Sequence, residues 1–223
     1  MKNLLVVLTL LCGSIGLAQE VVHNLDNFEE LKVSNGLQIT LSKSNVNKAV
    51  VTGENREDVE FEVRNGVLKI KKSIDNIWKD EDVHIKVFYT EIHKLSAVQN
   101  ATIRIQNPVK QGNLELESQE GAEIHANIEV NQLTAKAVTG GEIDVEGTAG
   151  HQEISIRAGG KFYGGNLRSR NTNVDISAGG VADINASKQV VAKVRAGGVV
   201  NVYGNPEVID KQTLFGGKVI SKN

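Results

Sequence analysis

The sequence predicts an all-β fold, a single-stranded parallel β-helix (solenoid) preceded by a β-rich N-terminal portion. Three observations carry this. Glycine pairs recur at Gly140-Gly141, Gly159-Gly160, Gly179-Gly180, Gly197-Gly198 and Gly216-Gly217, with spacings of 19, 20, 18 and 19 residues. Each pair is flanked by runs of alternating apolar and polar residues, the pattern of a half-buried strand. No segment of the repeat region carries an apolar stripe of helical period. Of the 22 glycines, six precede residue 121 and sixteen follow from it, so the bias is positional as well as compositional.

In chain order, the first element is an export signal. Lys2 is followed by the apolar run Leu4 to Leu11 and by small residues ending in Ala18. A positive start, a short apolar stretch and a small-residue cut site make a secretory signal peptide. Cleavage after Ala18 leaves a mature chain beginning at Gln19. The apolar run is too short for a retained membrane span. Cys12, the one cysteine, is preceded by Leu11, whereas lipidation needs a small residue there, so it leaves with the signal. The mature chain then has no Cys, which removes disulfide scaffolds, thiol nucleophiles and Cys-ligated metals together. The localisation that follows is export through the inner membrane to periplasm, outer surface or medium.

Residues 19–95 form the second element, β-rich and without the 19-residue period. Asn35-Gly36 and Asn65-Gly66 each sit between alternating runs, which is the strongest short hairpin signal. A strand is expected at Val83 to Tyr89 and a loop from Ser73 to Asp82, which includes Trp78. This segment, continuous with the coils, can cover the strand edges that a solenoid exposes at its end.

Residues 96–223 are the repeats. Extending the ruler backwards reaches Gly121-Ala122 and then Asn100-Ala101, giving seven units, each read as strand, corner, strand and short loop. A unit of about 19 residues cannot bury its apolar face alone, and stacking at ~4.8 Å per coil lets inward residues form ladders. Seven coils make a rod of roughly 30 Å on that spacing. The glycines 121, 140, 141, 159, 160, 179, 180, 197, 198, 216 and 217 are structural corner residues, where positive φ or close backbone approach excludes a Cβ. The preceding Thr139, Ala158, Ala178 and Ala196 are small for the same tight corner.

The opening Phe28 to Ile39, the segments at Gly53-Glu-Asn55 and Asn65 to Ile70, the signal peptide and the serial Gly-Gly repeats together resemble a bacterial family, the secreted proteins called putative auto-transporter adhesins with a head GIN domain. The resemblance runs from about Phe28 to Tyr203. It implies a β-helical surface or periplasmic protein of Bacteroidetes type and supplies no catalytic residues to transfer.

The composition excludes several classes. With 25 Lys and Arg against 27 Asp and Glu, the chain lacks the basic excess of a nucleic-acid binder. The Gly-Gly-x-x-Asp units lack the third glycine and nine-residue period of calcium-binding rolls, and no phosphate loop or dinucleotide fingerprint occurs. Five isolated histidines offer no paired zinc ligands. No cofactor, metal or catalytic residue is expected. One surface feature stands out. Four residues after the first position of each corner come His125, Asp144, Tyr163, Asp183 and Asn201, which alternation points outward in one stacked column. A second column before the corner holds Gln119, Arg157, Ser177 and Arg195. These columns, with Arg157 and Arg195 as cations, form the candidate ligand-contact face. The chain is therefore expected to be a non-enzymatic interaction protein whose partners are surface glycans or other envelope proteins. The alternative is a carbohydrate-binding or carbohydrate-cleaving β-helix using Asp144 and Asp183.

Overall fold

In a computed structural model of the protein, residues 20–53, 56–73 and 83–222 are described. The signal peptide and most of the loop around Trp78 lie outside them. Short strands come first: β1 (Val21–Asn24), β2 (Glu30–Val33), β3 (Gln38–Lys43), β4 (Lys48–Thr52), β5 (Val59–Arg64), β6 (Val67–Lys72), β7 (His84–Tyr89), β8 (Lys94–Ala97) and β9 (Thr102–Ile105). Long strands follow: β10 (Val109–Gln119), β11 (Glu123–Val138), β12 (Glu142–Arg157), β13 (Lys161–Ser177) and β14 (Val181–Arg195). β15 (Val199–Tyr203), β16 (Val208–Leu214) and β17 (Lys218–Ser221) end the chain. The result is an all-β parallel solenoid of about seven turns.

Each corner is a two-residue turn. Thr139 and Gly140 have φ of 49° and 73°, and the Gly141 amide donates back to the Val138 carbonyl at 3.0 Å. Two successive left-handed residues closed by that bond are the type I′ arrangement. The residue before each glycine pair is thus itself left-handed, a strain that Thr139, Ala158, Ala178 and Ala196 all carry. Corners also bond to one another, Gly121 to Thr139, Gly140 to Ala158 and Gly179 to Ala196, each from amide to carbonyl at 3.1–3.2 Å. In the coils from Glu123 to Arg195 one strand runs from corner to corner, whereas short loops at 106–108 and 204–207 interrupt the coils at either end. β11 runs 16 residues from one corner to the next and bends at Asn131-Gln132, where two exposed residues in succession break the alternation.

The inward residues form the expected ladders. One runs Ile39, Ile103, Ile124, Ile143, Phe162, Ala182 and Val200, each the registered partner of the next. On the strand before the corner, Leu31, Leu95, Leu116, Ala135, Ile154, Val174 and Ala192 do the same. All of them are buried. Burial of each large aliphatic side chain contributes about 1.5–3 kcal/mol. A few polar residues interrupt the interior. Ser169 and Thr172 share a hydroxyl hydrogen bond of 2.9 Å, and the Gln152 amide nitrogen donates to the Leu167 carbonyl at 3.3 Å while its oxygen has no partner among the described residues.

The two Asn-Gly pairs part company. Asn65-Gly66 closes a hairpin, with β5 and β6 antiparallel from Val59↔Lys72 to Arg64↔Val67. Asn35-Gly36 does not. It is a further solenoid corner, with φ of 61° and 71° and the Gly36 amide bonded to the Gln99 carbonyl. β2 pairs parallel with β8, and β3 with β9. The reason is shared chemistry: a type I′ turn wants Asn-Gly whether the strands leave it into one ladder or into two neighbouring sheets. The same first coil is covered on its other side by β6 and β7, and then by the antiparallel strands β5, β4 and β1.

The far end is built differently. The inward positions of the last coil hold Ile209 and Val219 but also Lys211, Thr213 and Ser221, which stand in register with Ala192, Val194 and Val202. An inward-pointing charge on an edge strand opposes further stacking.

Outside, before the corner, Glu115 receives hydrogen bonds from Lys136 at 2.9 Å and Lys94 at 3.0 Å. Burial pushes its carboxyl up, but the two lysines outweigh burial and hold it below the usual carboxylate range. A carboxyl depressed in the folded chain stabilises above its unfolded pKa, and that stabilisation is lost as pH falls through the folded value. Glu115→Gln should therefore cost about 1 kcal/mol at neutral pH. The gap in melting temperature to the wild type should close as pH falls below about 4. A gap unchanged between neutral and acid pH would contradict this assignment.

Candidate functional site

The strands that follow the corners lie side by side, and their outward side chains form one broad face. Its central column reads Lys86, Thr40, Arg104, His125, Asp144, Tyr163, Asp183, Asn201 and Ile220, each in register with the next. Period-two alternation dictates the outward direction, and the corner ladder fixes the register. The structure thus places His125, Asp144, Tyr163, Asp183 and Asn201 on consecutive rungs. The column is also longer than those five residues. The same four-residue offset applied to the Asn100 and Gly36 corner positions reaches Arg104 and Thr40, which the five-residue column leaves out.

The lower half of this face is cross-linked from rung to rung. His125 lies 3.2 Å from a Glu123 oxygen and 3.6 Å from an Asp144 oxygen. Lys161 contacts Glu142, and the hydrogen bond its ammonium donates to that carboxylate, followed by the carboxylate's charge, raises the lysine pKa. Asn127 donates to Glu146 at 2.9 Å, and Asn201 donates to Asp183 at 2.7 Å. Tyr163, 36% exposed, stands between Asp144 and Asp183. Those carboxylates are two rungs apart, roughly 9.6 Å on the ~4.8 Å strand spacing.

Two shallow, open depressions follow the face. One, about 410 Å³, is lined by residues including Gln38, Thr40, Thr52, Lys86, Thr102 and Arg104. The other, about 460 Å³, is lined by residues including Arg104, Pro108, His125, Asn127, Asp144 and Asn166. They share Arg104 and Gln106, so the surface is continuous from one to the other.

The column before the corner is less uniform than its alternation suggests. Its register runs Gln119, Val138, Arg157, Ser177, Arg195 and Leu214, so Val138 separates Gln119 from Arg157 and Leu214 ends the series. Arg195 is turned onto Asp175, with bonds of 2.7 and 2.9 Å to its two oxygens, and Gln119 bonds Glu117. Arg157 is exposed. The two columns lie on strands to either side of the corner ladder. Among the described residues, no group of three or more His, Cys, Asp or Glu side chains is placed to hold a metal ion. No helix among them is long and apolar enough to cross a membrane.

Solved structures share this architecture. An adhesin (termed putative) from Bacteroides fragilis superposes with a TM-score of 0.83 at 17% identity, covering 92% of this chain and 96% of that one. A protein from Parabacteroides distasonis, named a putative lipid binding protein, gives 0.73 at 18% identity over the same shares. An adhesin (again putative) from Parabacteroides merdae gives 0.64 at 16% identity, also over 92% and 96%. At these identities the likeness is one of fold. No curated protein matches the chain. The sequence profile described as "Putative auto-transporter adhesin, head GIN domain" matches residues 27–206, most of the chain's length and nearly the whole solenoid, and the chain therefore belongs to that family.

Proposed function

We propose that the protein is an exported, non-enzymatic interaction module, adhesin-like, whose contact surface is the face built by the strands that follow the corners. The observation that carries this is the unbroken outward column from Lys86 to Asn201, held on a scaffold whose corners are hydrogen-bonded from coil to coil. Such a face offers many registered polar groups over a long, open surface. That suits an extended partner such as a surface glycan or another envelope protein. Membership of an adhesin-type family favours the same reading.

A carbohydrate-cleaving role for Asp144 and Asp183 finds less support. The Tyr163 rung lies between them, and Asn201 already occupies an Asp183 oxygen. A general acid and base pair needs both groups free to reach one scissile bond.

Export is tested by expressing the full chain in a Gram-negative host, fractionating the cells and sequencing the N-terminus of the recovered protein. The proposal expects a chain beginning at Gln19 outside the cytoplasm. A cytoplasmic chain that retains residues 1–18 would overturn it.

A further inference from the structure

Lys86, Thr40 and Arg104 form three successive rungs at the upper end of the face. The two cations are therefore about 9.6 Å apart along the column, with a threonine between them, given a strand spacing of ~4.8 Å. Several cations elsewhere on the outside are paired, Lys94 and Lys136 with Glu115, Lys110 with Glu129, Lys161 with Glu142 and Arg195 with Asp175, while others such as Arg157 stand exposed outside any depression that also holds a second cation. Neither Lys86 nor Arg104 forms an ion pair among the described residues. The Lys86 ammonium lies 5.1 Å from the centre of the Phe88 ring, which steadies the side chain and leaves its charge uncompensated. Around the pair, the depression presents the hydroxyls of Thr40, Thr52 and Thr102, the amides of Gln38 and Gln106, His84 and one carboxylate, Glu20, so its two fixed cations outnumber its single anion.

We propose that this depression binds an acidic glycan, with carboxylates of a uronate-containing chain set against Lys86 and Arg104 and its hydroxyls against the threonines and glutamines. The site rests on the reading of this face as the contact surface. A polymer fits better than an isolated anion because the two depressions share Arg104 and Gln106, so a chain can run from one into the next. The second depression carries Asp144 and Glu146, which repel anionic groups and accept hydrogen bonds from sugar hydroxyls. The pattern therefore favours a glycan in which acidic and neutral sugars alternate over one that is acidic at every residue.

The probe is hyaluronan, which alternates in this way, with neutral dextran and phosphatidylglycerol vesicles alongside. The purified exported chain is compared with Lys86→Gln/Arg104→Gln and with Arg157→Gln, each checked for unchanged melting. The expected result is hyaluronan binding that falls about tenfold or more in the double variant, since both charge-assisted hydrogen bonds to the uronate carboxylates are lost. Arg157→Gln should bind like the wild type, dextran should not bind, and ~1 M NaCl, where the screening length is about 3 Å, should abolish the interaction. The site is overturned if hyaluronan does not bind, if the double variant binds it equally, or if only the vesicles depend on Lys86 and Arg104. If cells displaying the chain still adhere while hyaluronan fails to bind, this site alone is lost and the wider adhesive reading stands.

Discussion

Replacing Gly160 with valine is expected to destabilise the protein by about 4 kcal/mol or more, whereas replacing its neighbour Gly159 with alanine should cost only about 1–2 kcal/mol. The two glycines of a pair do different work. Gly159 has φ of +77° and open space where a Cβ would stand, so a substitution there meets dihedral strain alone. Gly160 has no left-handed φ, and a Cβ built on it would lie 2.3 Å from the Ala137 carbonyl oxygen and 2.5 Å from its carbon. Those atoms are backbone of the coil below and cannot turn aside. Of the two reasons expected for a glycine at Gly160, a corner dihedral and a clash with the neighbouring coil, the second is the one that holds, since its φ is not left-handed. At about 2–4 °C per kcal/mol for a chain of this size, the valine variant should melt about 10 °C or more below the wild type. Equal losses for the two variants would contradict the division of roles.

The second large effect is expected at Phe162. It is buried in the inward ladder, registered with Ile143 on one side and the small Ala182 on the other. A Cβ on Gly164 would meet the Phe162 Cε1 at 2.3 Å, so the ring also occupies the space above that glycine. Phe162→Ala should cost about 3–5 kcal/mol in urea unfolding. Gly164→Ala should destabilise when the ring is present and much less in the Phe162→Ala background. Additive losses in the double variant would mean that the ring and the glycine are not coupled.

What the sequence disclosed, and what it hid, follows from which constraints are local. The stacking period was legible because every corner needs the same left-handed pair, and glycine is the residue that accepts it most readily. The outward rungs from His125 to Asn201 could be counted from that ruler for the same reason. Arg104 escaped because its corner, Gln99-Asn100, has no glycine from which to count the outward offset, and Thr40 escaped because Asn35-Gly36 reads as a hairpin turn and not as a corner. Asn35-Gly36 also resembled a hairpin, since turn chemistry is set by two residues while the choice of partner strand is set by distant ones. The bent strand between corners, read as a short loop, was hidden because Asn131-Gln132 break the alternation without leaving the ladder. Arg195 looked like a free cation until Asp175, 20 residues away in sequence and one coil away in space, came beside it.

The contact face itself is tested most directly by adhesion of cells that display the chain. One variant carries Asp144→Ser, Tyr163→Ser and Asp183→Ser on the face after the corners. A matched variant carries Glu153→Ser, Asn173→Ser and Lys193→Ser on the strands before them, all outward residues of the same coils. With surface display and melting temperature equal, the fraction of cells retained on hyaluronan-coated or bacterium-coated surfaces under flow is measured for each. The proposed function predicts that the first variant loses retention on at least one of these surfaces and that the second retains like the wild type on both. Loss in the second with none in the first, or equal retention by all three, would contradict it.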